Sequence, residues 1–93
     1  MRTIERSSAF KRDYKRATAS RHRNSLDMVL SAVVTALAGD RQLDLRHHDH
    51  ALSGDWTGYR ECHIKPDLLL IYRKTGDDLL RLARLGSHSE LFR

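Results

Sequence analysis

Six histidines fall in this 93-residue chain, and five of them, His47, His48, His50, His63 and His88, lie in its second half; only His22 stands apart. Imidazole changes protonation near pH ~6.5, so it gives and takes protons at neutral pH. Two positioned imidazoles suit one reaction in particular. RNA carries its own nucleophile, the 2′-hydroxyl. Its cleavage needs a base near that hydroxyl, an acid near the leaving 5′-oxygen and a cation for the phosphoryl oxygens. DNA lacks the 2′-hydroxyl, so a small metal-free protein of this kind cuts RNA. Arg60, Lys65, Arg73, Arg81 and Arg84 are the candidate cations. Composition permits this chemistry without compelling it, because most loop histidines are simply hydrated. His22, His47 and His48 are expected to be of that kind.

A metal site is the competing use of the same residues. His47-His48-Asp49-His50 is a dense run of ligand-type side chains, and His63 is a further one. Zinc sites, however, hold their ligands a helical turn apart or in paired knuckles, and adjacent loop histidines have neither spacing. No carboxylate-rich pair suggests magnesium. The single cysteine, Cys62, excludes an internal disulfide and a cysteine-based zinc site. The expectation is no metal and no cofactor.

The rest of the composition narrows the class. The formal charge is +5 and the pI about 9.9, which points to a polyanionic partner: RNA, DNA or an acidic protein. The length allows one small domain, residues 1–93, with one modest core. The longest apolar run, Leu68 to Tyr72, falls far short of the ~20 residues that span a bilayer. The opening Met1 to Arg6 has no apolar region of the secretory type. A reducing cytoplasm, away from the membrane, is the expected location.

The elements that must position these side chains are legible in outline. Arg2 to Arg6 suits a short edge strand. Ser7 or Ser8 offers an N-cap, and Phe10, Tyr14 and Ala17 then share one helical face, with Lys11, Arg12, Lys15 and Arg16 covering the other side. Asn24 or Ser25 caps a second helix, in which Leu26, Val29, Leu30, Val33, Val34 and Leu37 form an apolar stripe of 3.6-residue period. Gly39 ends that helix as a left-handed residue. Beyond Gly54 the period falls to two. Arg60, Cys62 and Ile64 share one strand face; Tyr59, Glu61 and His63 share the other. Leu68 to Tyr72 is apolar on both faces, as a central strand is. Turns at Lys65-Pro66-Asp67 and Thr75 to Asp78 separate it from its neighbours, and Leu79 to Leu85 is the last strand. The fold class is α+β: an N-terminal strand and an αα-hairpin packed on an antiparallel sheet of three to four strands.

Against this background, the stretch Asp49 to Arg73, with Gly54-Asp55-Trp56-Thr57-Gly58-Tyr59-Arg60 followed by His63-Ile64-Lys65-Pro66-Asp67, resembles the core of the YafQ-type toxins of the RelE/ParE superfamily. Gly86-Ser87-His88-Ser89-Glu90-Leu91-Phe92 resembles their ending. The two stretches cover nearly the whole second half of the chain; the first half matches in layout only. The resemblance implies a bacterial type II toxin with a small RNase-like fold. It implies an endoribonuclease that cuts messenger RNA in the ribosomal A site, with contacts to ribosomal RNA. Its cognate antitoxin is expected to be of the DNA-binding ribbon-helix-helix type. His50, His63, Asp67, His88 and Phe92 occupy the functional positions of the motif, and Arg84 matches a basic position on the last strand.

There are departures. Leu68 stands where the family usually has Trp, and Ala51 follows His50 where Pro is usual. His50 and His88 are read as the proton-transfer pair, because both are expected on loops at segment ends where side chains can converge on a phosphate. His63 and Asp67 position or assist. Arg60, Lys65 and Arg84 are read as RNA-contacting cations, and Phe92 as a residue that stacks on a base or anchors the tail. The alternative is a non-enzymatic toxin of the same superfamily that blocks a protein target such as DNA gyrase, which would have no need of the His50, His63 and His88 set.

Overall fold

The computed structural model describes residues 1–92. The element order is β1 (Thr3–Arg6), α1 (Ser8–Thr18), α2 (Leu26–Ala38), β2 (His50–Ala51), β3 (Arg60–Lys65), β4 (Leu68–Thr75), β5 (Leu79–Gly86) and α3 (His88–Leu91), with single 3-10 turns at Leu45–His47 and Gly54–Trp56. The sheet runs β1-β5-β4-β3-β2. The class is the expected α+β, but the sheet has five strands and is mixed. β1 pairs with β5 in parallel, and the two residues of β2 add an antiparallel strand beside β3. His50 therefore sits in a ladder and not on a free loop.

Local chemistry explains the helices. Ser7 caps α1, its Oγ accepting from the Phe10 N–H at 2.9 Å. The stripe on α2 is buried at Leu26, Leu30, Val33, Val34 and Leu37, with Val29 packed at its margin. Ser25 stands at the α2 N-cap in a left-handed conformation without a side-chain cap bond. The left-handed residue after α2 is Asp40 (φ 55°) and not Gly39 (φ −88°). Asp40 holds that position while its carboxylate binds Arg2 and Lys74, each at 2.8 Å. Asn and Asp tolerate this region better than most residues.

Two apolar clusters sandwich the sheet. On one face Cys62, Ile64, Leu68, Leu70, Tyr72, Leu80, Leu82 and Leu85 pack under α1 and α2. On the other, Leu69, Ile71 and Ala83 are covered by Leu91, with Leu52, Trp56, Tyr59 and Phe92 packed around them. Burial pushes the Cys62 thiol up to about 12, so it is a protonated core residue at neutral pH.

Along β5, β1 reaches only as far as Leu82, and α1 completes the edge. Ser7 Oγ donates to the Ala83 carbonyl, and the Leu85 N–H donates to Asp13 Oδ2 at 3.0 Å. Asp13 is only 3% exposed although it lies in a helix with a charged outer surface. Its carboxylate also takes a two-pronged bond from Arg84, at 2.7 and 3.2 Å, and one from Arg16 at 3.1 Å. Removing one side of a buried, hydrogen-bonded charge pair typically costs ~3–5 kcal/mol. Asp13→Ala is therefore expected to lower unfolding free energy by about 3 kcal/mol, read as a fall in the urea midpoint. A change below about 1 kcal/mol would show that the Asp13 bonds contribute little net.

Candidate active site

The alternation of β3 is as its pattern suggests: Cys62 and Ile64 enter the helix-covered core, while Glu61 and His63 face the other way, toward the smaller cluster. The register carries His63 across Leu69 to Gly86, two residues before His88. His63, Asp67 and His88 thus line one cleft of about 420 Å³, with Leu69 as its floor and Ser87 on its wall.

His88 is fixed by a capping box. The Ser87 N–H donates to Glu90 Oε1 at 2.7 Å, and the Glu90 N–H donates to Ser87 Oγ at 3.2 Å. Gly86 permits the chain to fold back here, since a Cβ would meet Glu90 Oε1 at 3.0 Å and Leu91 Cδ2 at 3.2 Å. The Phe92 ring lies 4.8 Å from the His88 ring and packs on the smaller apolar cluster. As found, Phe92 anchors the tail and backs His88.

His50 lies on the neighbouring rung. It pairs with Glu61, which precedes His63 by two residues on the same strand face, a step of about 7 Å. Its Nε2 is 3.1 Å from Glu61 Oε1, and its Nδ1 is 2.8 Å from the His48 carbonyl. Asp67, at the mouth of the cleft, is ion-paired with Arg21, with His22 Nδ1 at 3.8 Å. The structure brings His63, Asp67 and His88 together, sets His50 one step along, and draws the supposedly remote His22 to Asp67.

The cations divide differently from the expected set. Arg60 shares its strand face with Cys62, opposite His63, and its Nε donates to Asp49 at 3.2 Å; Asp49 also accepts from the Tyr72 hydroxyl at 2.6 Å. Lys65 donates to the carbonyls of His22 (2.9 Å) and Asn24, tying down the turn between the helices. Arg84 grips Asp13. All three therefore have internal partners, and neither Arg60 nor Lys65 is brought to the histidine cleft. Arg73 is different. Among the described residues it has no carboxylate partner; its guanidinium lies 5.5 Å over the Tyr59 ring. It stands directly opposite Arg81, which is paired with Glu5. Like charges facing each other across a ladder are unfavourable, which marks this row as open to an anion. The signal in the sequence was the even spacing of Ile71 and Arg73 on one strand face.

Of the two loop histidines expected to be hydrated, His48 is exposed as expected and His47 is not. His47 is buried, and its Nδ1–H donates to the His63 carbonyl at 2.6 Å. The His48 ring lies 5.1 Å from the His63 ring. The positive φ of His48 (48°) turns the chain so that both contacts are made. Periodicity does not reveal a side chain that bonds to the backbone of a distant strand. Among the described residues no three histidine, cysteine, aspartate or glutamate side chains are arranged to hold a metal ion.

The five-stranded sheet with two helices on one face is a fold shared with a group of solved bacterial toxins. A copper-bound mutant toxin from Helicobacter pylori superposes with a TM-score of 0.87 at 43% identity, over 99% of this chain and all of that one. The toxin chain of the E. coli DinJ-YafQ complex superposes with a TM-score of 0.83 at 38% identity, over 100% of both. The mRNA interferase toxin YafQ of E. coli K12 is 39% identical over 93 residues, covering 98% of this chain and 96% of the relative. A family model described as "Bacterial toxin of type II toxin-antitoxin system, YafQ" matches residues 2–93. The chain belongs to the YafQ family of type II toxins.

His47→Ala is expected to cost about 1–2 kcal/mol of stability, because it removes a buried donor and strands the His63 carbonyl. Chemical denaturation checks this. An unchanged midpoint would mean that water replaces the imidazole at no cost.

Proposed function

We propose that this chain cleaves messenger RNA on the ribosome, in the A site, by metal-independent acid–base chemistry, with His50 and His88 as the proton-transfer pair and His63 and Asp67 assisting. As a member of its family the chain is a type II toxin and an endoribonuclease acting on messenger RNA. The observation that carries the mechanistic reading is the convergence on one sheet face of His63 and His88 in a single cleft, with His50 on the next rung. A toxin that only blocked a protein target would not need these imidazoles.

In this reading the 2′-oxygen attacks phosphorus as a base removes its proton. The bond to the 5′-oxygen then breaks as an acid supplies one. Arg73 and Arg81, on the same face, attract the phosphodiester, and Arg84 contributes the field of its guanidinium even while held by Asp13. Phe92, half-buried beside His88, is the ring on which a base held there would stack. Leu68, fully buried under the helices, takes no part in stacking, so any base contact that a Trp makes in relatives is absent here.

The partner is a cognate antitoxin. The E. coli relative is crystallised with DinJ, and an inhibitor of this chain needs acidic groups to meet a surface of net charge +5. A ribbon-helix-helix DNA-binding dimer is the expected form. No helix among the described residues is long and apolar enough to cross a membrane, and a ribosomal substrate implies work in the cytoplasm.

His50→Ala and His88→Ala are each expected to lower single-turnover cleavage of ribosome-bound message at least about tenfold, since positioned acid–base groups contribute ~10²–10⁴-fold. The double variant should lose less than the product of the two. His88→Ala cutting at the wild-type rate would overturn the assignment. Cleavage should also survive excess chelator on ribosomes held together by polyamines. Loss of activity that zinc or copper restores would replace the metal-free scheme with a metal-dependent one.

A further inference from the structure

The histidine cleft lacks one thing that phosphodiester cleavage needs. In the transition state, negative charge gathers on the two non-bridging oxygens, and a cation or fixed donor must meet it. Among the described residues no lysine or arginine lines the cleft, and its one carboxylate, Asp67, has the wrong sign for RNA. Arg73 stands four residues along β4 from Leu69, the floor of the cleft, which places it roughly 13 Å away.

A cation reaches the cleft through Asp67 itself, whose carboxylate is ion-paired with Arg21. Arg21 belongs to the turn between α1 and α2, and this turn is fastened to the end of β3. Lys65 Nζ donates to the carbonyls of His22, at 2.9 Å, and of Asn24. His22 Nδ1 stands 3.8 Å from Asp67 Oδ1. Inside the turn, the His22 N–H donates to Ser20 Oγ at 3.1 Å and the Arg23 N–H to the Ser20 carbonyl at 3.2 Å. The backbone that carries Arg21 is therefore held from both sides. Arg21 also borders a hollow of about 250 Å³ that shares Ser87 with the cleft.

The Arg21 side chain is 76% exposed, and an ion pair so open to water contributes little to folding. Guanidinium carries five N–H donors in a planar fork, of which Asp67 occupies only part. The others are free for a second oxygen anion. Asp67 alone at the cleft mouth would repel a phosphate; paired with Arg21, its charge is cancelled.

We propose that Arg21 is the cation of the cleavage site, donating to a non-bridging oxygen of the scissile phosphate while Asp67 holds it at the cleft mouth. This rests on the RNA-cleaving reading of the same cleft. As the bond from the 2′-oxygen to phosphorus forms and the bond from phosphorus to the 5′-oxygen breaks, one proton leaves the 2′-hydroxyl and one arrives on the 5′-oxygen, both by way of the imidazoles. Arg21 neither gains nor loses a proton. It stabilises the charge on phosphorus while both bonds are partly made.

The test is single-turnover cleavage by the whole protein of ribosome-bound message, giving the maximal rate and the affinity separately. The message carries either a normal scissile phosphate or one with sulfur in place of each non-bridging oxygen in turn. Arg21→Gln should lower the maximal rate at least about tenfold with affinity within about twofold, and Arg21→Lys should recover part of it. In the wild type one of the two sulfur positions should slow cleavage more than the other, and Arg21→Gln should shrink that difference, which a merely structural role would not do. Arg23→Gln, two residues along the same turn, should cut within about twofold of the wild type. Urea midpoints of all three variants should match the wild type. Arg21→Gln cutting at the wild-type rate, or keeping the full difference between the sulfur positions, would overturn the contact. A loss in Arg23→Gln equal to that in Arg21→Gln would replace it with a general effect of charge. A wild-type protein that leaves the normal message intact would overturn the RNA-cleaving reading, and this proposal with it.

Discussion

A central strand that is apolar on both sides must be covered on both sides, and the described residues form only one pair of long helices. The helices take the face of Leu68, Leu70 and Tyr72. The face of Leu69 and Ile71 is left to whatever else the chain provides, which is the segment around Leu52, Trp56 and Tyr59 and the ending with Leu91 and Phe92. Exposing that second face would forfeit roughly 1.5–3 kcal/mol per large side chain. The two segments that cover it carry His50 on one side and His88 on the other. The histidines are held where they are because their neighbours in sequence are the cover of a core.

This constraint joins stability to chemistry in a way that separates the residues by task. Leu91 and Phe92 bury apolar area, and the capping box of Ser87 and Glu90 sets the direction of the helical turn between. His88 is placed by both without contributing to either. Likewise His47 serves the fold by bonding to the His63 carbonyl, and the His48 carbonyl serves the site by fixing the His50 ring. The buried Asp13 does the corresponding work at the other edge, where it completes β5 and restrains Arg84. A cation restrained by an internal carboxylate still attracts phosphate, but less strongly than Arg73, which has only an aromatic ring beneath it.

The two faces also differ in how much polar chemistry they tolerate. Under the helices, the acid Asp13 is met by two arginines and a backbone N–H, which satisfies it. On the other face Glu61 keeps an unpartnered oxygen and relies on one half-exposed imidazole. A buried group left partly unsatisfied is unfavourable for folding, and such groups gather where a protein does its chemistry.

Much of this was legible in the order of residues. The 3.6-residue stripe of α2, the two-residue alternation of β3 and the two-sided apolar run of β4 are local patterns, and burial of apolar surface enforces them directly. The same alternation sets Glu61 and His63 opposite Cys62 and Ile64, and the His-x-x-Pro-Asp and Gly-x-His-x-x-Leu-Phe runs mark the segments that approach each other. Contacts between residues far apart in sequence were not legible. Nothing local says that Asp13 completes the edge of β5, that His47 reaches the carbonyl of His63, or that Arg60 and Lys65 spend their charge on Asp49 and on the helix turn. Nor does it say that two residues at His50 form a strand opposite Glu61. Hydrogen bonds of polar side chains depend on which backbone groups the packed sheet leaves unpaired. That is decided only when the apolar faces have docked.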